Sequence, residues 1–178
     1  MAEGDRPVVG TPGYRDVESI YQSVFDALSI TENRAVILSG WSDFQSLPLS
    51  ENVLVMDAVP HDWLLPKCKV VIHHGGAGTT AAGLRSGIPN IVVSFAADQP
   101  FWGARVHAIG AGPKPVPVRK LTVENLIAAI IEADGETIRN VARAKGRAIC
   151  TEDGVGQAIK LIDEYTAKWQ ASRSSTIF

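Results

Sequence analysis

"KVVIHHGGAGTTAAGLRSGIPNIVVSF", Lys69 to Phe95, is the stretch on which the fold turns. Val70, Val71 and Ile72 make a β-branched run of strand length, and His73 and His74 follow it. Gly75, Gly76 and Gly78 then loosen the backbone before a small-residue stretch of helical character from about Gly78 to Ser86. A strand that runs through a glycine-rich turn into a helix is a βα unit. Gly87, with Pro89 two residues on, closes the helix, and "NIVVSF" supplies the next strand.

The same alternation extends in both directions. Upstream, "RPVV" is a brief first strand, Ile20, Val24 and Leu28 share a helical face, and "RAVIL" and "NVLVM" are strands. "HDWLLP" is a short helix ended by Pro66. Downstream, Asp98 to Ile109 has helical spacing and "GPKPVP" is extended. "LTVENLIAAII" opens on Thr122 as an N-cap with Asn125 three residues on, and Glu136 to Gln170 makes two helices broken near "TEDGVG". Parallel strands need crossovers and helices supply them, so the pattern predicts an α/β fold with a doubly wound parallel sheet. Residues 1–170 read as one domain and 171–178, "ASRSSTIF", as a flexible tail.

At 178 residues and 46% apolar, the chain suffices for one sizeable core. Its 17 basic and 19 acidic side chains create no overall field toward nucleic acid, so a bound anion must be held by local geometry. Cys68 and Cys150 have neither zinc-site nor disulfide-framework spacing and read as reduced, buried thiols. "MAEGDRPVVG" lacks the apolar segment of a signal peptide, and no apolar run reaches the ~18 residues of a membrane span. A cytoplasmic location is expected, with peripheral membrane association left open.

Ligands of doubly wound sheets bind at the carboxyl ends of strands, where the quoted turn lies. Free N–H groups at the start of a helix, together with its dipole, attract an anion. Glycines at 75, 76 and 78 remove the Cβ atoms that would keep a phosphate away, Thr79 or Thr80 can add a hydroxyl, and His74 can donate to the same anion. A diphosphate fits best; the plainer alternative is a turn that merely lets helix and strand pack. No "GK[ST]" follows, so this is no P-loop, and no acidic residue stands where a dinucleotide fold would hold ribose. Adjacent strand residues face opposite ways, so His73 and His74 do not chelate one metal; His73 is expected to be packed and His74 outward.

Two further segments follow strand ends. Asp98 and Gln99 offer acceptors and donors to sugar hydroxyls, although for Asp98 alone a role as helix cap is favoured. Phe101 and Trp102 are expected in the core, with stacking on a sugar as the alternative. In "DAVPHDWLLP", Pro60 fixes an extended turn that leaves the backbone around Val59 and His61 able to read a base edge, while Trp63 is expected in the core rather than stacked.

"HHGGAGTTAAGLRSGIPNIVVSFAADQPFWGARV", with "VPHDWLLP" upstream, resembles the nucleotide-sugar half of the UDP-glycosyltransferase superfamily, and within it the sterol 3-beta-glucosyltransferases and their bacterial relatives. The likeness runs from about Asn33 to Thr122 and more loosely beyond. It implies a Rossmann-like doubly wound parallel sheet that is one half of a GT-B fold, the C-terminal half that binds the donor. It also implies that His74 and the backbone of Gly75, Gly76, Ala77, Gly78, Thr79 and Thr80 hold the diphosphate, that Asp98 and Gln99 bind the hexose, that Val59, Pro60, His61 and Trp63 flank uracil and ribose, and that Ser39, Gly40 and Trp41 line the cleft. Where the family runs its first strand into a "GFGS"-type phosphate loop, this chain has "RPVVGTPGY", a shortened strand without that serine. Where related plant enzymes place a glutamate on the ribose, it has Ala82.

The activity implied is inverting transfer of glucose from UDP-glucose to the hydroxyl of a sterol or similar lipid-like acceptor. His74 stabilises the leaving diphosphate in place of a metal or other cofactor, and no "DxD" occurs. The general base is expected on an acceptor-binding N-terminal domain, supplied in cis or in trans, through which any membrane contact would be made. The chain alone is expected to bind a UDP-sugar and turn over nothing. The alternative is a non-catalytic nucleotide-sugar-binding or protein-interaction module.

Overall fold

The computed structural model describes residues 8–11, 17–39 and 51–174. Its elements are β1 (Val8–Thr11), α1 (Val17–Ile30), β2 (Ala35–Leu38), β3 (Val53–Met56), α2 (His61–Leu64), β4 (Val70–His73), α3 (Ala77–Arg85), β5 (Asn90–Ser94), α4 (Gln99–Ala108), β6 (Val116–Pro117), α5 (Val123–Asp134), α6 (Glu136–Cys150) and α7 (Gly154–Ser174). The strands form a six-stranded sheet in the order β3-β2-β1-β4-β5-β6, every pair parallel. This is the expected doubly wound order, and it reverses between β1 and β4, the crevice in which such sheets bind ligands. β1 is not short relative to its neighbours: four residues pair with β4, from Val8↔Val70 to Thr11↔His73.

Alternation along the buried strands divides the core into two faces. Val70 and Ile72 of β4, with Ile91 and Val93 of β5, pack against Ala27 and Leu28 of α1 and Leu126, Ala129, Ile130 and Ala133 of α5. Val71, Val36 and Leu38 pack on the other side against Leu64, Leu65, Cys68 and Ile88. His73 follows Val71 in the alternation and therefore faces the α3 side. α3 also packs against α6, where the two backbones meet at glycines: a Cβ at Gly146 would lie 2.6 Å from the Gly87 α-carbon.

Helix ends follow local chemistry. Thr122 and Asn125 form a complete capping box at the start of α5. Gly87 takes a left-handed φ of +69° after α3. Pro66 does not stop the chain turning, because a short 3-10 turn, Leu65–Lys67, accepts it in its first positions, where no N–H is needed. α7 continues to Ser174, past the point at which a tail was expected. Cys68 is buried as expected, whereas Cys150 is exposed at the end of α6 with its thiol toward the Arg85 carbonyl, 3.6 Å away. Among the described residues no helix is long and apolar enough to cross a membrane.

Candidate functional site

The turn from β4 into α3 is built almost entirely from backbone. Gly75 has φ +90°, a conformation L side chains rarely adopt, and a Cβ there would lie 2.7 Å from Val92 Cγ1 and 3.0 Å from the Gln99 carbonyl oxygen. Gly76 is the N-cap residue of α3 and offers no side chain to the helix. The first N–H groups of a helix have no partner within it, so those of Ala77, Gly78 and Thr79 remain for an external acceptor. The His74 imidazole lies over this opening: its Nε2 occupies the space a Cβ on Gly76 would fill. Burial holds the His74 pKa below the usual histidine value, and the Asp98 carboxylate opposes that shift.

Thr80 does not join the opening. It is 2% exposed, and its hydroxyl donates to the Gly76 carbonyl at 2.9 Å, the common back-bond of a threonine within a helix. The hydroxyl left for a ligand is that of the half-buried Thr79. His73 lies beneath the turn, 1% exposed, with Nδ1 3.0 Å from the Gly75 N–H and Nε2 3.0 Å from Asn90 Oδ1.

The turn from β5 into α4 is built differently. Ala97 has φ +56°, and the Gln99 side chain braces the bend: Oε1 accepts from the N–H groups of Phe95 at 2.8 Å and Ala96 at 3.2 Å. Both lone pairs of that oxygen are thus occupied, and only the Nε2 donors remain to offer a ligand. Asp98 stands at the N-cap position without capping; its Oδ2 accepts from Trp102 Nε1 at 2.7 Å, which directs the carboxylate along the rim. Phe101 is 58% exposed and stacks edge-on to Trp102 at 5.1 Å, so the aromatic pair is a surface feature rather than core. A core place for both rings is closed off because Gly103 and Val106 are the residues of α4 that turn inward.

Around the β3–α2 connection, Val59 packs against the core and Pro60 has φ −55° and ψ 123°, the extended turn expected of it. Trp63 is 58% exposed and not in the core: the Lys67 ammonium lies 4.0 Å over its ring and donates to its carbonyl at 2.6 Å. In α2, Leu64 takes the inward position instead. His61 is near enough to His73 to disfavour a proton on that ring. Ser39, at the end of β2, is buried and donates to Asp57 Oδ1 at 3.1 Å; Gly40 and Trp41 lie outside the described residues.

The tertiary structure therefore brings His74, the α3 N-terminus, Asp98 and Gln99 to one rim, with His61 nearby. Two participants were not anticipated from sequence, Asn90 and the strained Ala97. Asn90 carried a signal, since a polar side chain opening "NIVVSF", inside a sheet covered on both faces, must find partners. Ala97 carried none. Among the described residues no group of His, Cys, Asp or Glu is arranged to hold a metal ion.

Comparison with known proteins places this rim in context. Residues 24–152 match the family model of the erythromycin biosynthesis protein CIII-like, C-terminal domain. A sterol 3-beta-glucosyltransferase of Arabidopsis thaliana is 42% identical over 164 residues, covering 90% of this chain and 26% of that protein. The O-mycaminosyltylonolide 6-deoxyallosyltransferase of Streptomyces fradiae is 34% identical over 171 residues, 93% of this chain and 39% of its own length. Among solved structures, the glycotransferase of kitacinnamycin superposes with a TM-score of 0.77 at 24% identity over 90% of this chain and 43% of its own. The calicheamicin glycosyltransferase superposes at 0.74 and 20% identity, over 93% and 44%. The chain thus spans between a quarter and a half of the length of these proteins.

Proposed function

We propose, from the premise that this chain belongs to the erythromycin biosynthesis protein CIII-like C-terminal domain family of GT-B glycosyltransferases and is related to sterol glucosyltransferases, that it binds UDP-glucose for transfer to the hydroxyl of a sterol or similar lipid-like acceptor. The observation that carries this reading is the meeting of unpaired α3 amides and the His74 imidazole, with the Asp98 carboxylate close enough to bear on that ring. Amides and a helix dipole suit a diphosphate, and a carboxylate beside them suits the hydroxyls of the sugar attached to it.

In the reaction, a base on an acceptor-binding domain takes the proton of the acceptor hydroxyl. The hydroxyl oxygen then forms a bond to the anomeric carbon from the face opposite UDP, and the bond from that carbon to the diphosphate oxygen breaks. UDP departs with the electron pair, and configuration at the carbon inverts. His74 and the amides of Ala77, Gly78 and Thr79 receive the charge that develops on the diphosphate, which removes the need for a metal ion. Losing one such donor costs about 3 kcal/mol of barrier, roughly a hundredfold in rate. Val59, Pro60, His61 and Trp63 flank the uracil and ribose. The exposure of Trp63 supports a stacking role that burial in the core would have prevented.

Isothermal titration of the chain with UDP, UDP-glucose and ADP tests the reading. UDP and UDP-glucose should bind, ADP at least tenfold more weakly, and His74→Ala and Asp98→Ala should each weaken UDP-glucose binding. Equal affinity for UDP and ADP would sink the proposal. Unchanged affinity in both variants would favour a non-catalytic module. Because the relatives act with different sugars by name, glucosyl in one and 6-deoxyallosyl in another, a panel of UDP-sugars decides the hexose.

A further inference from the structure

We propose that His73, rather than filling space beneath the turn, is a positioning residue for the donor site: as its Nε2–H tautomer it accepts the Gly75 N–H on Nδ1 and so holds the turn that presents His74 and the α3 amides. The inference rests on the donor-site reading above.

The tautomer follows from groups whose polarity cannot change. Gly75 contributes a backbone N–H, which only donates, so the Nδ1 it meets at 3.0 Å carries a lone pair. At the other end, Asn90 Nδ2 donates at 2.9 Å to the Ile88 carbonyl, which only accepts. The Asn90 amide must therefore present Oδ1 to the ring, and at 3.0 Å that oxygen accepts from Nε2–H. The chain of bonds from Gly75 through His73 and Asn90 to Ile88 has one direction, read consistently from both ends.

Packing leaves it little room to rearrange. Asn90 and His73 are both buried, and a Cβ on Gly83 of α3 would collide with Asn90 Oδ1, so the amide is enclosed by the helix above it. Gly75 is pressed between Val92 and the Gln99 backbone. Glycine reaches a φ of +90° without strain but reaches other conformations as readily, and the imidazole, by accepting the N–H from a strand end two residues before, selects this one. A short Asn or Asp could make a similar local bond, but histidine has a second nitrogen with which to anchor the turn to β5.

The titratable groups that bear on this ring are His74, in the same turn, and His61, at the start of α2, both of which disfavour a further positive charge. Burial is the main cause that pushes the His73 pKa down to about 4; the hydrogen bond to Asn90 opposes it, and the two neighbouring histidines add to it. The positioning bond therefore persists while His74, half-buried and within reach of the Asp98 charge, lies over the helix start. One histidine is locked as an acceptor so that its neighbour can act as a donor.

Ring 15N spectra of histidine-labelled protein, recorded from pH 8 to pH 5, read the tautomer directly. His73 should show a protonated Nε2 and an unprotonated Nδ1 throughout. An Nδ1–H tautomer, or a protonated ring in that range, would overturn the proposal whatever the chain binds. Calorimetry with UDP supplies the functional reading. His73→Asn, which keeps an acceptor for Gly75, should bind UDP within about threefold of the parent, whereas His73→Leu, which removes it, should lose at least tenfold. Asn90→Asp gives the ring a carboxylate partner that favours imidazolium, so its UDP affinity should fall at least tenfold more than the parent's between pH 8 and pH 6. A folded His73→Leu that binds UDP as tightly as the parent would reduce His73 to a packing residue. A parent that binds no UDP, with the expected tautomer in place, would overturn the donor-site reading itself.

Discussion

The two turns that meet at the rim reach similar geometry by opposite means. Between β4 and α3 the chain uses glycine: Gly75 takes a left-handed φ without a Cβ, and Gly76 leaves the helix start uncapped. Between β5 and α4 an alanine takes the left-handed φ, and the Gln99 side chain secures the bend by accepting two backbone N–H groups. The difference lies in what each turn must leave accessible. On the proposed donor-site reading, a turn that offers its amides to an anion cannot spend side chains on them, so its brace, His73, comes from below. A turn meant to hold side chains along a rim can use one of them as its own strut. The first turn is secured by a group that titrates and the second by one that does not, and this separates the two by experiment.

Gly75→Ala should have the largest effect. A Cβ would meet Val92 Cγ1 at 2.7 Å with φ at +90°, and overpacking plus left-handed strain together cost about 4 kcal/mol. Urea unfolding measures this; a loss below about 1 kcal/mol would mean that the turn is pliable and the contrast with its neighbour overstated.

Acid should act next, on the first turn. Well above pH 6.5 the His73 ring is neutral in the folded and the unfolded chain alike. As pH falls from 6.5 toward the folded value of about 4, the unfolded chain takes up a proton that the folded one refuses, and stability is lost through that window. The full loss is about 3 kcal/mol, and carboxylates titrating in the same range add their own slope. The comparison is therefore between the parent and His73→Asn, each unfolded in urea at pH 7 and pH 4.5. The variant should lose less, and equal losses would show that the ring is not the sensor.

Gln99→Ala should cost about 1–2 kcal/mol at pH 7, since two amides lose their acceptor in a partly exposed place. That penalty should not change between pH 7 and pH 4.5, and a pH-dependent one would erase the distinction between the turns. The smallest effect is expected from Ala97→Gly. Relief of left-handed strain is offset by the greater freedom of glycine in the unfolded chain, for a net gain of about 0.5 kcal/mol. A destabilising result would show that the Ala97 methyl group contributes contacts that outweigh the strain.

Much of the fold was legible because its signals are local. β4, α3 and β5 follow from β-branched runs, a glycine turn and a Gly–Pro stop, and the α5 capping box follows from Thr122 and Asn125 lying three residues apart. The site was legible in its residues but not in their bonds. Asp98 reads as a helix cap in isolation, yet Trp102 takes its carboxylate; Thr80 reads as a donor, yet its hydroxyl goes back to its own helix. Trp63 and Phe101 read as core because aromatic rings usually are, and both are exposed, since Leu64 and Val106 fill the inward positions of their helices.

By itself, then, the sequence determined the order of strands and helices and the place of the glycine opening at a strand's carboxyl end, since periodicity and backbone freedom act over a few residues. Only the tertiary structure decided how the polar atoms around that opening are used. Those choices depend on partners the fold brings together: His73 with Asn90 across the sheet, Asp98 with the Trp102 indole, and Gln99 with the N–H groups of Phe95 and Ala96. A hydrogen-bonding group is committed by whichever partner stands within about 3 Å of it, and separation along the chain says nothing of that.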